Sequence, residues 1–259
     1  MAHITEASLR AMLGRGRGLP DPFPVRAGDK LTPAAADFLK QRNIVLTRSD
    51  RGNLADRALI PVGVSNRHVH LAPRHVEALF GEGYELKPLR ELSQRGQYAA
   101  QETVAIVGPK GNIPGVRILG PARGETQVEI SRTDSYRLGV QTPVRLSGDI
   151  RGTPGITLIG SAGTVVLSEG LIVARNHLHL SPEDAKRLQV GQGDRLMLRT
   201  NGDRPVIFAG VVARIDPRFT LDFHIDTDEA NSSFLSNGDS VTLIGANGKL
   251  SDSVKEELS

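Results

Sequence analysis

The sequence predicts a mainly β chain made of a duplicated β unit and preceded by a helical extension. Three observations carry this. From about Leu59 onward, short runs rich in Val, Ile, Leu and Thr alternate with Gly, Pro or Asp. A histidine-bearing segment occurs twice with similar flanks. The first 20 residues instead space their apolar side chains as a helix does. The 259 residues include 28 Gly and 15 Pro, which supply the turns that many short strands need. At 39% hydrophobic content the chain can build one large core, or two cores of roughly 100 residues each.

In chain order, Ile4, Ala7, Leu9, Ala11, Met12 and Leu13 form the apolar side of a short amphipathic helix, with Glu6 and Arg10 on its polar side. Residues 14–24, GRGRGLPDPFP, break that helix and read as a linker. The segment reads either as a frayed terminus or as a detachable helix that docks onto a partner. A second helix is expected over Thr32 to Arg42, with Thr32 as N-cap and Pro33 in the first turn. The β region then includes TVAIVG, VRILG, TQVEIS, TPVRLSG, ITLIG, TVVLS, GLIVA, DRLMLR, PVIFAGVVARI, FTLDFHI and SVTLIG. Two helical interruptions stand out in it, RHVEALFG after Pro73 and EDAKRLQVG after Pro182.

These interruptions expose the repeat. Arg67-His68-Val69-His70-Leu71-Ala72-Pro73 matches Asn176-His177-Leu178-His179-Leu180-Ser181-Pro182, and each copy runs into a short helix that leads to a Gly. Downstream, VRILGPAR (Val116 to Arg123) echoes ARIDPR (Ala213 to Arg218), and TQVEISRTD echoes TLDFHIDTDE. With one residue of slack, Glu129 falls opposite His224. Self-similarity over this span points to a duplicated β domain.

The histidines carry the chemistry. Four of the seven lie in the two His-x-His pairs, and His224 is a fifth, leaving only His3 and His75. On a strand, side chains at i and i+2 share a face, about 7 Å apart at Cα, so two imidazoles can converge on one ion. A ligand from a later strand completes each set: His68, His70 and Glu129 for one ion, His177, His179 and His224 for the other. Three protein ligands leave a zinc position open for water or substrate, as catalytic sites do. A single His-x-His is more often a pair of hydrogen-bonded histidines; two copies in equivalent repeat positions favour metal. Arg123, in the GPARGE loop just before the Glu129 strand, would lie near the first ion and could take phosphate in its fork. The bland alternative is a surface-loop arginine.

Other classes are disfavoured. There is no Cys, hence no disulfide, thiolate zinc site or cysteine nucleophile. The net charge is only +3, with basic and acidic residues intermixed, so nucleic acid is not an expected partner. No apolar run reaches the length of a membrane helix, and no membrane partner is expected. GRGRG follows no strand and is no dinucleotide fingerprint; Walker A and Gly-x-Ser-x-Gly patterns are missing. A cupin-like site using Glu183 ranks low, because SPEDA reads as a helix start.

VGVSNRHVHL (Val62 to Leu71), ILGPARGETQVEIS (Ile118 to Ser131), ARNHLHLSP (Ala174 to Pro182) and DFHIDTDEAN (Asp222 to Asn231) together resemble the PduL-type phosphotransacylases, the phosphate propanoyltransferases of bacterial microcompartments. The resemblance covers about Leu59 to Gly245. It implies two related β-barrel domains with short helical caps, plus the N-terminal helical extension. Residues 57–66 would join 175–245 in one barrel, and 67–174 would form the other. Residues 1–20 would be an encapsulation peptide, and 21–56 a linker and helix. It also implies two zinc ions at the interface, held by the six residues named above, with Arg123 contacting phosphate. The implied reaction is acyl-CoA, propanoyl-CoA by the family, plus phosphate to acyl phosphate plus coenzyme A. Phosphate would attack directly, without an acyl-enzyme. Cobalt or another divalent ion would suit the same imidazoles. The N-terminal helix would engage microcompartment shell or core proteins, placing the enzyme in a microcompartment lumen within the bacterial cytoplasm, and a homo-oligomer is expected. Two rival readings stay open: a hydrolase using water in place of phosphate, and a non-catalytic module in which metals only staple the fold.

Overall fold

The structure is a computed structural model that describes residues 3–14, 19–26, 29–49, 59–94, 96–202 and 204–251. The chain divides into two units, Met1–Ala58 and Leu59–Ser259.

The N-terminal unit comprises β1 (His3–Ile4), α1 (Glu6–Gly14), β2 (Phe23–Arg26), β3 (Lys30–Leu31), α2 (Pro33–Lys40) and β4 (Leu46–Ser49). Both expected helices are present, and Thr32 caps α2 by accepting a hydrogen bond from the Ala35 amide. The expected linker is shorter than its composition suggests. Residues 15–18 lie outside the described residues, but Phe23–Arg26 is a strand paired in parallel with Leu46–Ser49. The reason is burial: Phe23 and Val25 alternate inward and join Leu9, Ala35, Phe38 and Leu39 in a small core. From α1 this core buries Leu9, while Met12 and Leu13 are exposed. Residues 50–58, and with them the expected boundary at 56–57, lie outside the described residues.

The second unit holds the repeat. Its elements are β5 (Ile60–Ser65), β6 (His68–His70), α3 (Pro73–Phe80), β7 (Pro88–Glu91), β8 (Tyr98–Gly108), β9 (Gly111–Gly120), β10 (Gln127–Glu129), α4 (Arg132–Leu138), β11 (Val144–Arg145), β12 (Thr157–Ile159), β13 (Thr164–Val166), β14 (Leu171–Ala174), β15 (His177–Leu180), α5 (Pro182–Leu188), β16 (Arg195–Thr200), β17 (Ile207–Ile215), β18 (Asp222–Asp226), α6 (Thr227–Ser233), β19 (Ser240–Ala246) and β20 (Lys249–Leu250).

The C-terminal half closes into a six-stranded barrel. Its strands follow the order β16-β17-β15-β18-β5-β19, and β19 pairs back to β16. β5 enters this barrel from far upstream, parallel to β18 with Val62 opposite Phe223, and antiparallel to β19. Ile60, Leu178, Leu198, Val211, Phe223 and Leu243 fill the interior. The central half forms a curled half-barrel in the order β11-β14-β10-β6-β9-β8-β12-β13, with β7 on β8. Its core includes Val69, Leu71, Ile106, Ile118, Val128 and Leu158. Each such side chain is worth about 1.5–3 kcal/mol when fully buried.

Two helices beyond the expected pair complete the repeat. α4 starts at a capping box in which Ser131 accepts from the Asp134 amide and Asp134 accepts from the Ser131 amide. α6 starts at the same device between Asp226 and Glu229. They sit where SRTD and DTDE echo one another. Both are seven residues long and largely polar, which hides their period.

Candidate active site

Each half builds its share of the site from two antiparallel strands in one register. In the central half His68 lies opposite Glu129, Val69 opposite Val128, and His70 opposite Gln127. In the barrel His177 lies opposite His224, Leu178 opposite Phe223, and His179 opposite Asp222. The middle pairs are fully buried in their cores. Strand alternation therefore turns the flanking pairs to the opposite face. The result is two three-residue groups, His68, His70, Glu129 and His177, His179, His224. Within each group the donor atoms lie within 4.8 Å of one another.

The hydrogen-bonding pattern leaves ring nitrogens free for a cation. His68 Nδ1 is 2.8 Å from the Asn66 carbonyl, and His177 Nδ1 is 2.8 Å from the Arg175 carbonyl. Each bond makes Nδ1 the protonated nitrogen and leaves Nε2 with its lone pair. His179 Nδ1 and His224 Nε2 are buried without a hydrogen-bond partner among the described residues. His224 Nε2 comes within 3.1 Å of Asp222 Oδ2, but out of line for a hydrogen bond. Buried polar atoms left so are costly unless something else satisfies them. A divalent cation fits these donors, since imidazole and carboxylate suit zinc or cobalt.

Electrostatics agree. Burial first, then the neighbouring imidazole charge, pushes His70 down to about 3 and His177 down to about 4. The same causes push His179 down to about 2. These rings are neutral at pH 7, the form that ligates metal. His68 differs: burial lowers its pKa, but the ion pair with Glu129 outweighs that and raises it. Its Nε2 lies 3.5 Å from Glu129 Oε2. Glu129, though buried, is held well below the usual carboxylate range by His68. Glu129 also acts on His177 across the repeat, so the two groups share one electrostatic field.

Arg123 lies beside the first group. Its backbone amide donates to the Leu71 carbonyl at 2.9 Å, and its Nη2 reaches Ser147 Oγ at 3.4 Å. It is half-buried, and its charge lowers the basicity of His68 and His70. Among the unused histidines, His75 Nδ1 bonds Thr126 Oγ1 instead. Glu183 lies in the first turn of α5, behind the Ser181 cap.

The structure adds residues the sequence reading left out. Gln127 Nε2 donates to Glu129 Oε1, and Asp222 lies against His224. Both stand two residues before the third donor, a spacing visible in TQVE and LDFH. Asp222 also accepts from Ser93 Oγ at 3.0 Å, and Gln94 exchanges two hydrogen bonds with the Thr220 backbone. These contacts tie the central half to the barrel along one side of the site.

Comparison with known proteins bears on what the site does. A family model described as PTAC, phosphate propanoyltransferase, matches residues 61–236. The chain belongs to the phosphate propanoyltransferase family. It is 56% identical over 186 residues to a phosphate propanoyltransferase of Thermotoga maritima, covering 71% of this chain and 89% of that protein. The Listeria monocytogenes phosphate propanoyltransferase is 56% identical over 180 residues, 68% of this chain and 84% of that protein. That of Rhodobacter capsulatus is 49% identical over 182 residues, 70% and 85% respectively. Membership makes the chain an acyltransferase. The match includes both donor groups and Arg123, and it leaves residues 1–60 outside.

Proposed function

We propose that this acyltransferase moves a propanoyl group between coenzyme A and phosphate at a dinuclear metal site in which His68, His70 and Glu129 hold one ion and His177, His179 and His224 the other. The observation that supports this reading best is the shared register of the two groups, with buried ring nitrogens that no described residue hydrogen-bonds. Two bound zinc ions, or cobalt in their place, would supply positive charge that offsets that of phosphate and polarises the thioester carbonyl.

The chain's own residues do the rest. Arg123 holds phosphate oxygens in its fork and stabilises the oxyanion of the tetrahedral intermediate. A phosphate oxygen attacks the thioester carbon. The intermediate collapses with cleavage of the carbon–sulfur bond, and coenzyme A leaves as thiolate, which takes a proton from solvent. With no Cys in the chain, direct transfer is the simplest course.

We assign residues 57–66 with 175–245 to one barrel domain and 67–174 to the other, supported by the pairing of β5 with β18 and β19. We further propose that the N-terminal unit addresses the enzyme to a microcompartment lumen by docking on a shell or core protein. Met12 and Leu13, exposed on α1, would be among its contacts. Imaging a fluorescent fusion in cells that build microcompartments tests this, and a diffuse signal would remove it. Size-exclusion chromatography with light scattering tests the proposed homo-oligomer.

The central experiment follows thiol release from propanoyl-CoA with and without phosphate, before and after chelation. Release that needs both phosphate and metal is expected. Release with metal but without phosphate would make the site hydrolytic.

A further inference from the structure

Arg214 has no part in the assignment above, yet it stands in the same site. It lies on β17, whose parallel pairing with β15 sets Leu178 opposite Ala213 and His179 opposite Arg214. Register partners on neighbouring strands share a face. Leu178 and Ala213 are fully buried in the barrel interior. His179 and Arg214 therefore both leave the opposite face, where the imidazoles converge. Phe219 fixes the placement. Its ring stacks on the His179 imidazole with centroids 4.0 Å apart, and the Arg214 guanidinium carbon lies 5.7 Å from the same ring.

The guanidinium is half-buried and makes no hydrogen bond or ion pair to any described residue. The acid two residues on, Asp216, gives both its oxygens to Arg218, each at 2.9 Å. The charge of Arg214 is felt by His177 and His179 in one donor group, and it faces Glu129 of the other. It also weighs on Arg123, which approaches from the central half. Two half-buried guanidiniums, one from each half, thus repel one another while both are drawn to Glu129, and Arg214 also to Asp216. Such an arrangement is costly alone and becomes favourable around an anion with several acceptor oxygens.

We propose that Arg214 is a second phosphate ligand of the reaction, gripping inorganic phosphate from the barrel side while Arg123 grips it from the central half. The proposal rests on the acyl-transfer reading above and adds to it the residue that makes phosphate binding a property of both halves. Coenzyme A also carries phosphates, but the whole pantetheine arm separates them from the reacting sulfur. Arg214 stands among the metal-ligand candidates, at the reacting end.

The test uses the full-length, metal-loaded protein and the substitutions Arg214→Gln and Arg214→Lys. KM is measured separately for phosphate and for propanoyl-CoA, with metal content by mass spectrometry and inorganic phosphate binding by calorimetry. Arg214→Gln should raise KM and Kd for phosphate on the order of ten- to a hundredfold, the usual weight of a charge-assisted hydrogen bond. KM for propanoyl-CoA should stay within about twofold, with metal content unchanged. Arg214→Lys, which keeps the charge but loses the fork, should fall between. Unchanged phosphate affinity would overturn the proposal. So would a rise confined to KM for propanoyl-CoA, which would place Arg214 on the phosphates of coenzyme A, or a loss of metal, which would make it a support for His179. If the wild-type protein released no thiol in response to phosphate, the acyl-transfer reading would fall first. Calorimetric comparison of wild type with Arg214→Gln would still decide whether Arg214 binds phosphate.

Discussion

The depressed histidines make the metal-free protein sensitive to mild acid. Their pKa values sit near 3, 4 and 2 in the fold, against about 6.5 in an unfolded chain. Between those limits the unfolded chain binds more protons, so stability is fully present above pH 6.5 and is lost as pH falls below it. Each ring contributes a slope of up to about 1.4 kcal/mol per pH unit. His68 has the opposite sign: its raised pKa gives stability below pH 6.5 that fades as pH rises through its folded value. Urea unfolding of chelated protein from pH 5 to pH 8 should therefore show stability climbing to about pH 6.5 and then turning down as the His68 contribution fades. A flat profile would mean the rings titrate normally. The same reasoning governs Gln127, which donates to Glu129 and accepts from the Gly148 amide at 2.7 Å. Gln127→Leu should weaken metal binding on the order of tenfold to a hundredfold, read in competition with a chromogenic chelator. The six donors were legible because the repeat shows them twice. Gln127, Asp222 and Arg214 were not, since a lone polar residue on a short strand reads as solvated until its register partner is known.

Helix caps and close backbone approaches hold the donors at the element scale. The Asp134 side chain closes the capping box of α4 and also receives Arg67 Nε at 2.7 Å, the residue just before His68. Asp134→Ala should cost about 1–3 kcal/mol, since it removes a cap and strands a half-buried cation. Chemical denaturation measures this directly, and Asp134→Asn should recover part of the loss. Gly63 on β5 is a different constraint. A Cβ there would stand 2.7 Å from Asp222 Oδ2, so Gly63→Ala must displace the carboxylate that lies against His224. We expect that variant to fold, with lower metal occupancy in the barrel group than in the central one. Equal occupancy by mass spectrometry and spectroscopy of the cobalt form would show that Asp222 does not position His224. The starts of α3 and α5 could be read from Pro73 and Ser181-Pro182. Those of α4 and α6 were also written in the sequence, as Ser131 with Asp134 and Asp226 with Glu229, but as polar pairs without an apolar run behind them.

For the molecule as a whole, the division at Leu59 separates two tasks. The family match starts at residue 61, and every donor lies beyond it. Removing residues 1–56 should leave phosphate-dependent thiol release within about twofold of the full chain. A larger loss would show that the N-terminal unit supports turnover. The mainly β class and the duplication were readable from punctuation and repeats. That one sheet closes and the other stays a curled half-barrel was not, because closure is decided by β19 returning to β16, a long-range pairing that no local pattern records.

The placement of β5 carries a consequence for how the protein is made. Synthesis runs from the N-terminus, so β5 leaves the ribosome first among the barrel strands and must wait while the whole central half is translated. Its partners β18 and β19 emerge only after that half is complete. Such distant pairings form slowly and leave an edge exposed meanwhile. A nascent chain that has not reached β18 can assemble the central donor group but not the barrel's, because His177 and His224 meet on the paired strands β15 and β18, which lie between β17 and β5. The order of translation thus completes the central donor group first and the barrel's last, when β18 brings His224 to His177 and His179.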